Sequence, residues 1–557
     1  MENLKKYWSQ LYPGTSLTLL DDFFKTFESY RVLPGKMDEA MDWYKDAIVY
    51  SLYVDLFNDG FDGLKQKLDY LSDLGVTCLW LLPVLDSPMR DAGFDIKDYY
   101  NIRADLLKAK AESETSGFID FLGAARQKGI RVIFDVAINH VSEEHPWFLE
   151  AKKGRSNPYR NFFIWSNTTE KYQEARIIFK GIESSNWEKS GEEYFFHRFF
   201  NFQPDLNYRN PEVLLAMCRV MLYWQSQGVD GFRADAIPYI WKEEGTECEN
   251  LPLTHVIIKF FRAILDYCKP GTLLLAEACQ LPVKVVEYLG NGDECHAAYH
   301  FPLMPRIFKA LAEQNGRSIR EVLSPDVTPA LPENAQWFTF LRCHDELSLE
   351  LVYVSEAERK YIHNNYCHQP EWDFRLGEGI SARLAELMQQ DYRRILLAYS
   401  IILTLPGTPV IYYGDEFAKL NDMKYYHEAI QKVGKDDTRF LVRGHIDWDE
   451  LSDKLKDANS LSSKVLHGLR KMIHTRNEHK AFGRGKLEFL SLDGQPDDSL
   501  FVLRRTFEKE CLLIMHNLSD HAVSIADYTT GQNNEILKNA ELSILEPYGF
   551  RWFKESC

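Results

Sequence analysis

Short apolar runs alternate along this chain with longer stretches in which apolar positions recur every three or four residues. The short runs read as strands: AIVYSLYVDLF (47–57), VTCLWLL (76–82), IRVIFDVA (130–137), VDGFRA (229–234), TLLLAEA (272–278), HAAYHF (296–301), QWFTFLRC (336–343) and PVIYY (409–413). The stretches between them read as helices, among them GLKQKLDYLSDLG, GFIDFLGAARQKG and PEVLLAMCRVMLYWQSQG, the last stopped by a glycine. Eight strands alternating with helices predict an α/β fold, a (β/α)8 TIM barrel with insertions; a doubly wound sheet is the runner-up.

Two interruptions and two ends complete the outline. After the third strand the chain runs from 141 to 209 with many aromatics and little helical period, which predicts an inserted subdomain. A second insertion, 346–378, contains HNNYCHQPEWDF. Residues 1–40 pattern as an N-terminal helical extension, and 41–140 with 210–478 form the barrel. From 479 to 557 the period changes to two in KLEFLSL, SLFVLRRTF, CLLIMHNL, HAVSI and ELSILEPYGFRWF, predicting a C-terminal antiparallel β-sandwich domain. The uncharged run 395–413 has the length of a membrane span, but Pro406, Gly407 and Pro409 break it into a buried helix and a buried strand.

Composition narrows the partners. With 82 acidic against 65 basic residues the net charge is −17, which argues against nucleic acid or an anionic membrane as partner and leaves neutral ligands open. The ten cysteines are scattered singly; Cys78, Cys268, Cys279 and Cys511 lie in apolar elements and read as reduced core thiols. MENLKKYWSQLYPG lacks the apolar stretch of a signal peptide, which predicts a cytoplasmic protein. Nothing in these residues addresses oligomeric state.

Charge placed at strand ends carries the chemistry. GVDGFRADAIPYI (228–240) runs an apolar strand into Arg233 and Asp235, two apart and so on one face of an extended chain. Asp235 ends the fourth strand, Glu277 the fifth and Asp345 the seventh, so in a barrel the three carboxylates converge on one mouth. Arg233 favours the charged form of Asp235, as a nucleophile requires, while the apolar setting of Glu277 raises its proton affinity, as a general acid requires. One ionised and one protonated carboxyl can break a glycosidic bond, with retention if they lie about 5 to 5.5 Å apart. Asp345 would steady the cationic transition state or grip hydroxyls, and His140 and His344 fall at similar places. His145, His197 and His363 read as ordinary hydrogen-bonded or surface histidines, and YFFHRFFNF (194–202) as packing of the insertion.

At these residues the chain resembles the α-amylase superfamily, glycoside hydrolase family 13. Four short regions occur in order: DVAINH (135–140), GFRADA (231–236), LLAEA (274–278) and FLRCHDE (340–346). The resemblance implies Asp235 as nucleophile, Glu277 as acid/base and Asp345 as transition-state stabiliser, with Arg233, His140 and His344 in the glucose subsite. AGFDIKDYY (92–100) places Asp95 there too, with Arg443 as its partner. QPDLN (203–207) resembles the version in enzymes of short α-glucosides. WYKDAIVY, EARIIFKGIESSNW and GDECHAAYHFPLMPR are similar to trehalose synthases, beside a likeness to oligo-1,6-glucosidase-like α-glucosidases.

Departures lie on the acceptor side: Cys343 stands where most members have Asn, Ala234 where a larger residue is usual, and DLFNDGFDGL shortens the loop that holds calcium in those relatives. No cofactor is therefore expected. These departures favour a retaining hydrolase of a small α-glucoside, a disaccharide or a glucosylated polyol, acting through a covalent glucosyl-enzyme. The alternative is a trehalose synthase-type isomerase interconverting maltose and trehalose; a non-catalytic scaffold is disfavoured by the intact carboxylates.

Overall fold

Eight parallel strands close on themselves in the computed structural model, which describes residues 1–31, 41–107, 116–179, 181–434, 436–490, 499–526, 534–537 and 544–556. They are β1 (Val49–Leu52), β2 (Cys78–Leu81), β3 (Arg131–Ala137), β4 (Gly231–Asp235), β5 (Leu273–Ala276), β6 (Ala297–Tyr299), β7 (Gln336–Phe340) and β8 (Thr408–Tyr412). Each pairs with its neighbours in sequence, and β8 returns to β1. Every run read as a barrel strand supplies one of the eight, and closure rules out the doubly wound sheet. The strands are largely apolar because barrel interior and surrounding helices cover both faces, with the charged Asp135, Arg233 and Asp235 as the exceptions that face the site. The 47–57 run is the exception to its predicted extent: strand ends at Leu52 and a helical turn, Val54–Asn58, follows. Both parts are buried, and a continuous apolar run does not distinguish them.

Local signals set the helices. Helix α1 (Glu2–Leu11) buries Leu4, Trp8 and Leu11, and its C-cap Tyr12 donates from its hydroxyl to the carbonyl of Tyr208 at 2.9 Å. The first helix of the chain is thereby docked on the barrel wall. Helix α2 (Pro211–Gln227) begins with an Asn210 side-chain cap and Pro211, and stops at Gly228 with φ 110°. Helix α3 (Tyr392–Thr404) leads into β8, so the uncharged run is a helix and a strand as expected. No helix among the described residues is long and apolar enough to cross a membrane.

The first insertion is pinned by a three-stranded antiparallel sheet of Trp165–Ser166, Trp187–Ser190 and Glu193–Phe196. Its return to the barrel is fastened by a buried cation. Lys242 Nζ, 1 % exposed, donates to Asn139 Oδ1 at 2.6 Å and lies 3.0 Å from the fully buried Asp205 carboxylate. The second insertion carries helix α4 with Leu347–Ser348, Asp373–Phe374 and Gly379–Ile380; α4, preceding α3 in the chain, spans Glu356–Tyr366 and opens on a Ser355/Glu358 capping box.

The C-terminal part is a five-stranded antiparallel sheet, Lys486–Leu490, Leu500–Phe507, Glu510–Asn517, Phe550–Glu555 and Asn534–Glu535, beside a ribbon of Val523–Ser524 and Ile544–Leu545. Trp552 Nε1 ties it to Ser400 Oγ of α3 at 2.8 Å. Residues 32–40 of the expected helical extension, the end of KLEFLSL and the start of ELSILEPYGFRWF lie outside the described residues. Eight cysteines among the described residues are free, but Cys511, read from sequence as a reduced thiol, is disulfide-bonded.

Removing the ammonium of Lys242 leaves Asp205 charged in an apolar setting, which costs roughly 3–5 kcal/mol. Lys242→Met is therefore expected to lower the apparent unfolding midpoint in urea markedly. An unchanged midpoint would show that the pair contributes nothing to holding the insertion.

Candidate active site

Parallel register brings the charges together. Asp135 in β3 sits beside Arg233 in β4, and Ala137 beside Asp235. Arg233 Nη1 therefore reaches two carboxylates, Asp235 Oδ1 at 2.6 Å and Asp135 Oδ1 at 2.8 Å. Trp80 Nε1 donates to the other oxygen of Asp135 at 3.0 Å. Gly231 at the start of β4 lets β5 approach, since an added Cβ would lie 2.6 Å from the Leu273 side chain. Immediately after Asp235, Ala236 takes a left-handed conformation (φ 56°) and its N–H donates to Glu277 Oε2 at 3.0 Å. A non-glycine residue in that region is strained, and here the turn aims a backbone donor at the carboxylate beyond β5.

Glu277, Asp345, Arg233 and His344 line one cavity of about 90 Å3, walled by Trp80, Tyr299, Phe301 and Phe340. Asp235 is bonded to Arg233 of this lining. A larger chamber, here called the outer one, of about 590 Å3 is lined by Tyr53, Arg90, Tyr425, Arg439, Phe440 and Arg443, and two of these arginines bind Asp345 of the inner cavity. Arg439 Nη1 and Arg443 Nη2 each lie 3.2 Å from Asp345 Oδ1, and His344 Nε2 lies 3.1 Å from Oδ2. The outer volume falls within the range that holds small organic ligands.

Proton affinities follow from this wiring. Burial acts to raise Asp345, but His344, Arg439, Arg443 and Arg233 outweigh it and hold the carboxyl down at about 2. Burial raises Asp235; Arg233 pulls it down, but the charges of Glu277 and Asp135 add to the rise, which ends at about 8. The sequence argument assigned Arg233 wholly to Asp235. In the structure its charge is divided with Asp135, and burial prevails. Burial also depresses both site histidines, His140 to about 4 and His344 to about 3, so each is a neutral imidazole.

Of the residues singled out from sequence, the structure brings together Asp235, Glu277, Asp345, Arg233, His344 and Arg443. Arg443 does not pair with Asp95. It binds Asp345 and donates from Nε to the His344 carbonyl at 3.0 Å, because the chain after β8 passes over the seventh strand's end. Asp95 is buried in its own loop, accepting from Ser87 Oγ at 2.9 Å and from the backbone N–H groups of Arg90 and Asp91, both at 3.1 Å. Its neighbour Phe94 is the loop's contact with the centre, stacked 5.9 Å from His344. His140 is buried beside Phe199, with Nε2 unpartnered among the described residues.

Three participants were missed. Asp135 lies inside DVAINH and has the inward parity of Ala137, which was a usable signal. Arg439 follows a long connection and had none. Cys279 was read as a core thiol but lines the cavity, and its Sγ donates to Glu277 Oε1 at 2.8 Å.

Residues 55–485 match the family model described as alpha amylase, catalytic domain. The chain belongs to the alpha-amylase family. It is 39% identical over 514 residues to the trehalose synthase/amylase TreS of Mycolicibacterium smegmatis, covering 86% of this chain and 84% of that one. It is 37% identical over 573 aligned positions to the protein of the same name from Mycobacterium tuberculosis, covering 95% and 92%. Among solved structures, an alpha-amylase from H. orenii superposes with TM-score 0.70 at 24% identity, covering 92% of this chain and 99% of that one, which supports the fold alone. The alpha-amylase family membership makes the chain a glycoside-processing enzyme.

Because Asp135 raises Asp235, neutralising it frees Arg233 for Asp235 alone. A carboxyl raised in this way is protonated below its displaced value, so kcat/KM for an α-glucoside falls as pH drops through that value. Asp135→Asn is expected to move this acid limb to lower pH. A limb that stays in place would show that Asp135 does not tune the site.

Proposed function

We propose that this protein is a retaining α-glucosyl isomerase of the trehalose synthase type, interconverting maltose and trehalose through a covalent glucosyl-enzyme. The observation that carries the reading is the extent of likeness, 37–39% identity across 86–95% of the chain to proteins named trehalose synthase/amylase. The hydrolase expectation rested on Cys343, Ala234 and a shortened loop. Those few positions weigh less than a likeness of nearly full length.

In this reading the ionised form of Asp235, which prevails above its raised value, attacks the anomeric carbon of the bound glucosyl unit through Oδ2, the oxygen not bonded to Arg233. Glu277 passes its proton to the departing glycosidic oxygen. Glu277 then takes the proton of the incoming hydroxyl as the reaction reverses on a different oxygen of the retained glucose. Asp345, kept ionised by Arg439 and Arg443, faces the positive charge that develops on the ring. Arg233 and the neutral His344 orient the glucosyl unit in the inner cavity. His140 and Asp95 support that subsite through the walls they brace.

In this reading the chamber lined by Arg439 and Arg443 holds the released glucose while it turns. Water that enters instead gives hydrolysis, so the two outcomes share one intermediate. The substrate is a small neutral α-glucoside, and no cofactor enters any step.

Incubation with maltose alone is expected to yield trehalose with little free glucose, and trehalose alone to yield maltose. Glucose as the dominant product from both sugars would favour the hydrolase. Asp235→Asn is expected to lose at least about a thousandfold in kcat with unchanged circular dichroism. Near-normal turnover in that variant would remove the nucleophile.

A further inference from the structure

The second insertion holds a cluster that the reaction does not use. His363 lies on the last turn of α4 and Cys367 follows four residues later at its C-cap, on the same face of the helix. Asp373 begins the strand that comes back past them. One imidazole nitrogen, the thiol sulfur and one carboxylate oxygen all lie within 4.8 Å of one another. His363 Nε2 is 2.8 Å from Asp373 Oδ1, and the two side chains are 25% and 29% exposed, so the cluster is open to solvent on one side. A structural histidine-carboxylate hydrogen bond explains two of the three groups. The Cys367 thiol has an acceptor of its own, the Gln369 carbonyl 3.5 Å from Sγ, yet its sulfur lies beside the same two groups.

We propose that His363, Cys367 and Asp373 bind a divalent transition-metal ion of the zinc class, with water in the fourth position. Nitrogen, sulfur and oxygen donors are the set that zinc accepts in tetrahedral geometry at about 2.0–2.3 Å, which places ligand atoms roughly 3–4 Å apart. Metal binding would draw the observed cluster, whose atoms lie within 4.8 Å of one another, to that spacing. Calcium and magnesium take oxygen donors and are disfavoured by the sulfur. Binding converts the Cys367 thiol to a thiolate and releases its proton to solvent, so charge and atoms balance.

The ion would act as a clamp on the site's rim. Asp373 roots a hairpin whose tip, Arg375, Leu376 and Gly377, has φ values of 48°, 55° and 90°. The Arg375 guanidinium lies 5.1 Å from the ring of Phe179 in the first insertion. The ring of Phe374 lies 5.6 Å from the guanidinium of Arg439, which binds Asp345. Fixing Asp373 to α4 therefore fixes the hairpin where the two insertions meet.

The full chain, stripped of metal, is titrated with cobalt(II) and then with zinc(II). One equivalent of cobalt is expected to give a sulfur-to-metal charge-transfer band that zinc displaces. Cys367→Ser should abolish the band, His363→Gln should weaken affinity by about tenfold or more, and Cys343→Ala should keep it. Zinc should raise the apparent melting temperature of the unaltered chain and not of Cys367→Ser. No thiolate band on the unaltered protein, a band surviving Cys367→Ser, or one lost in Cys343→Ala would overturn the proposal. If Cys367→Ser does not fold, the spectrum of the unaltered chain and the His363→Gln affinity still decide.

Discussion

One buried guanidinium organises this molecule's mouth. Arg233 stands between Asp135 and Asp235 on adjacent strands and pulls both carboxyls down against the rise that burial gives them. The barrel supplies the necessary register: parallel β3 and β4 place Asp135 directly beside Arg233, and a two-residue step along β4 turns Asp235 the same way. Dividing one positive charge between two anions leaves Asp235 less strongly held than a dedicated pair would. Asp345 is the converse case, a single carboxylate served by two arginines. Two acids at one mouth thus acquire opposite shifts: burial prevails at Asp235, while His344, Arg439 and Arg443 hold Asp345 down.

Containment is the second constraint. The inner cavity is narrow and walled by aromatic rings, and the outer chamber is several times larger. Under the proposed function the glucosyl unit occupies the first and the released sugar the second. The two insertions meet where the Arg375 guanidinium faces Phe179.

The barrel was legible because each of its strands is a short apolar run, and the principal carboxylates were legible because they end such runs. Asp235, Glu277 and Asp345 needed only strand order and the rule that ends of strands share a mouth. What sequence could not supply was the path of long connections. Arg443 was matched to Asp95, yet the chain after β8 delivers it to Asp345, and Arg439 arrives by the same route. Cys279 was hidden for another reason: three residues past the end of β5 the backbone has left the strand, so alternation no longer reports which way a side chain faces. Register between strands was also invisible, and with it the sharing of Arg233.

The account rests on Asp235 bonding to the anomeric carbon. A 5-fluoro-α-glucosyl fluoride, which slows breakdown of a glucosyl-enzyme more than its formation, offers the most direct measurement when followed by proteolysis and mass spectrometry. The account predicts one fluoroglucosyl unit per chain, on the peptide carrying Asp235. Label on Glu277 or Asp345, or rapid inactivation without a covalent adduct, would contradict it.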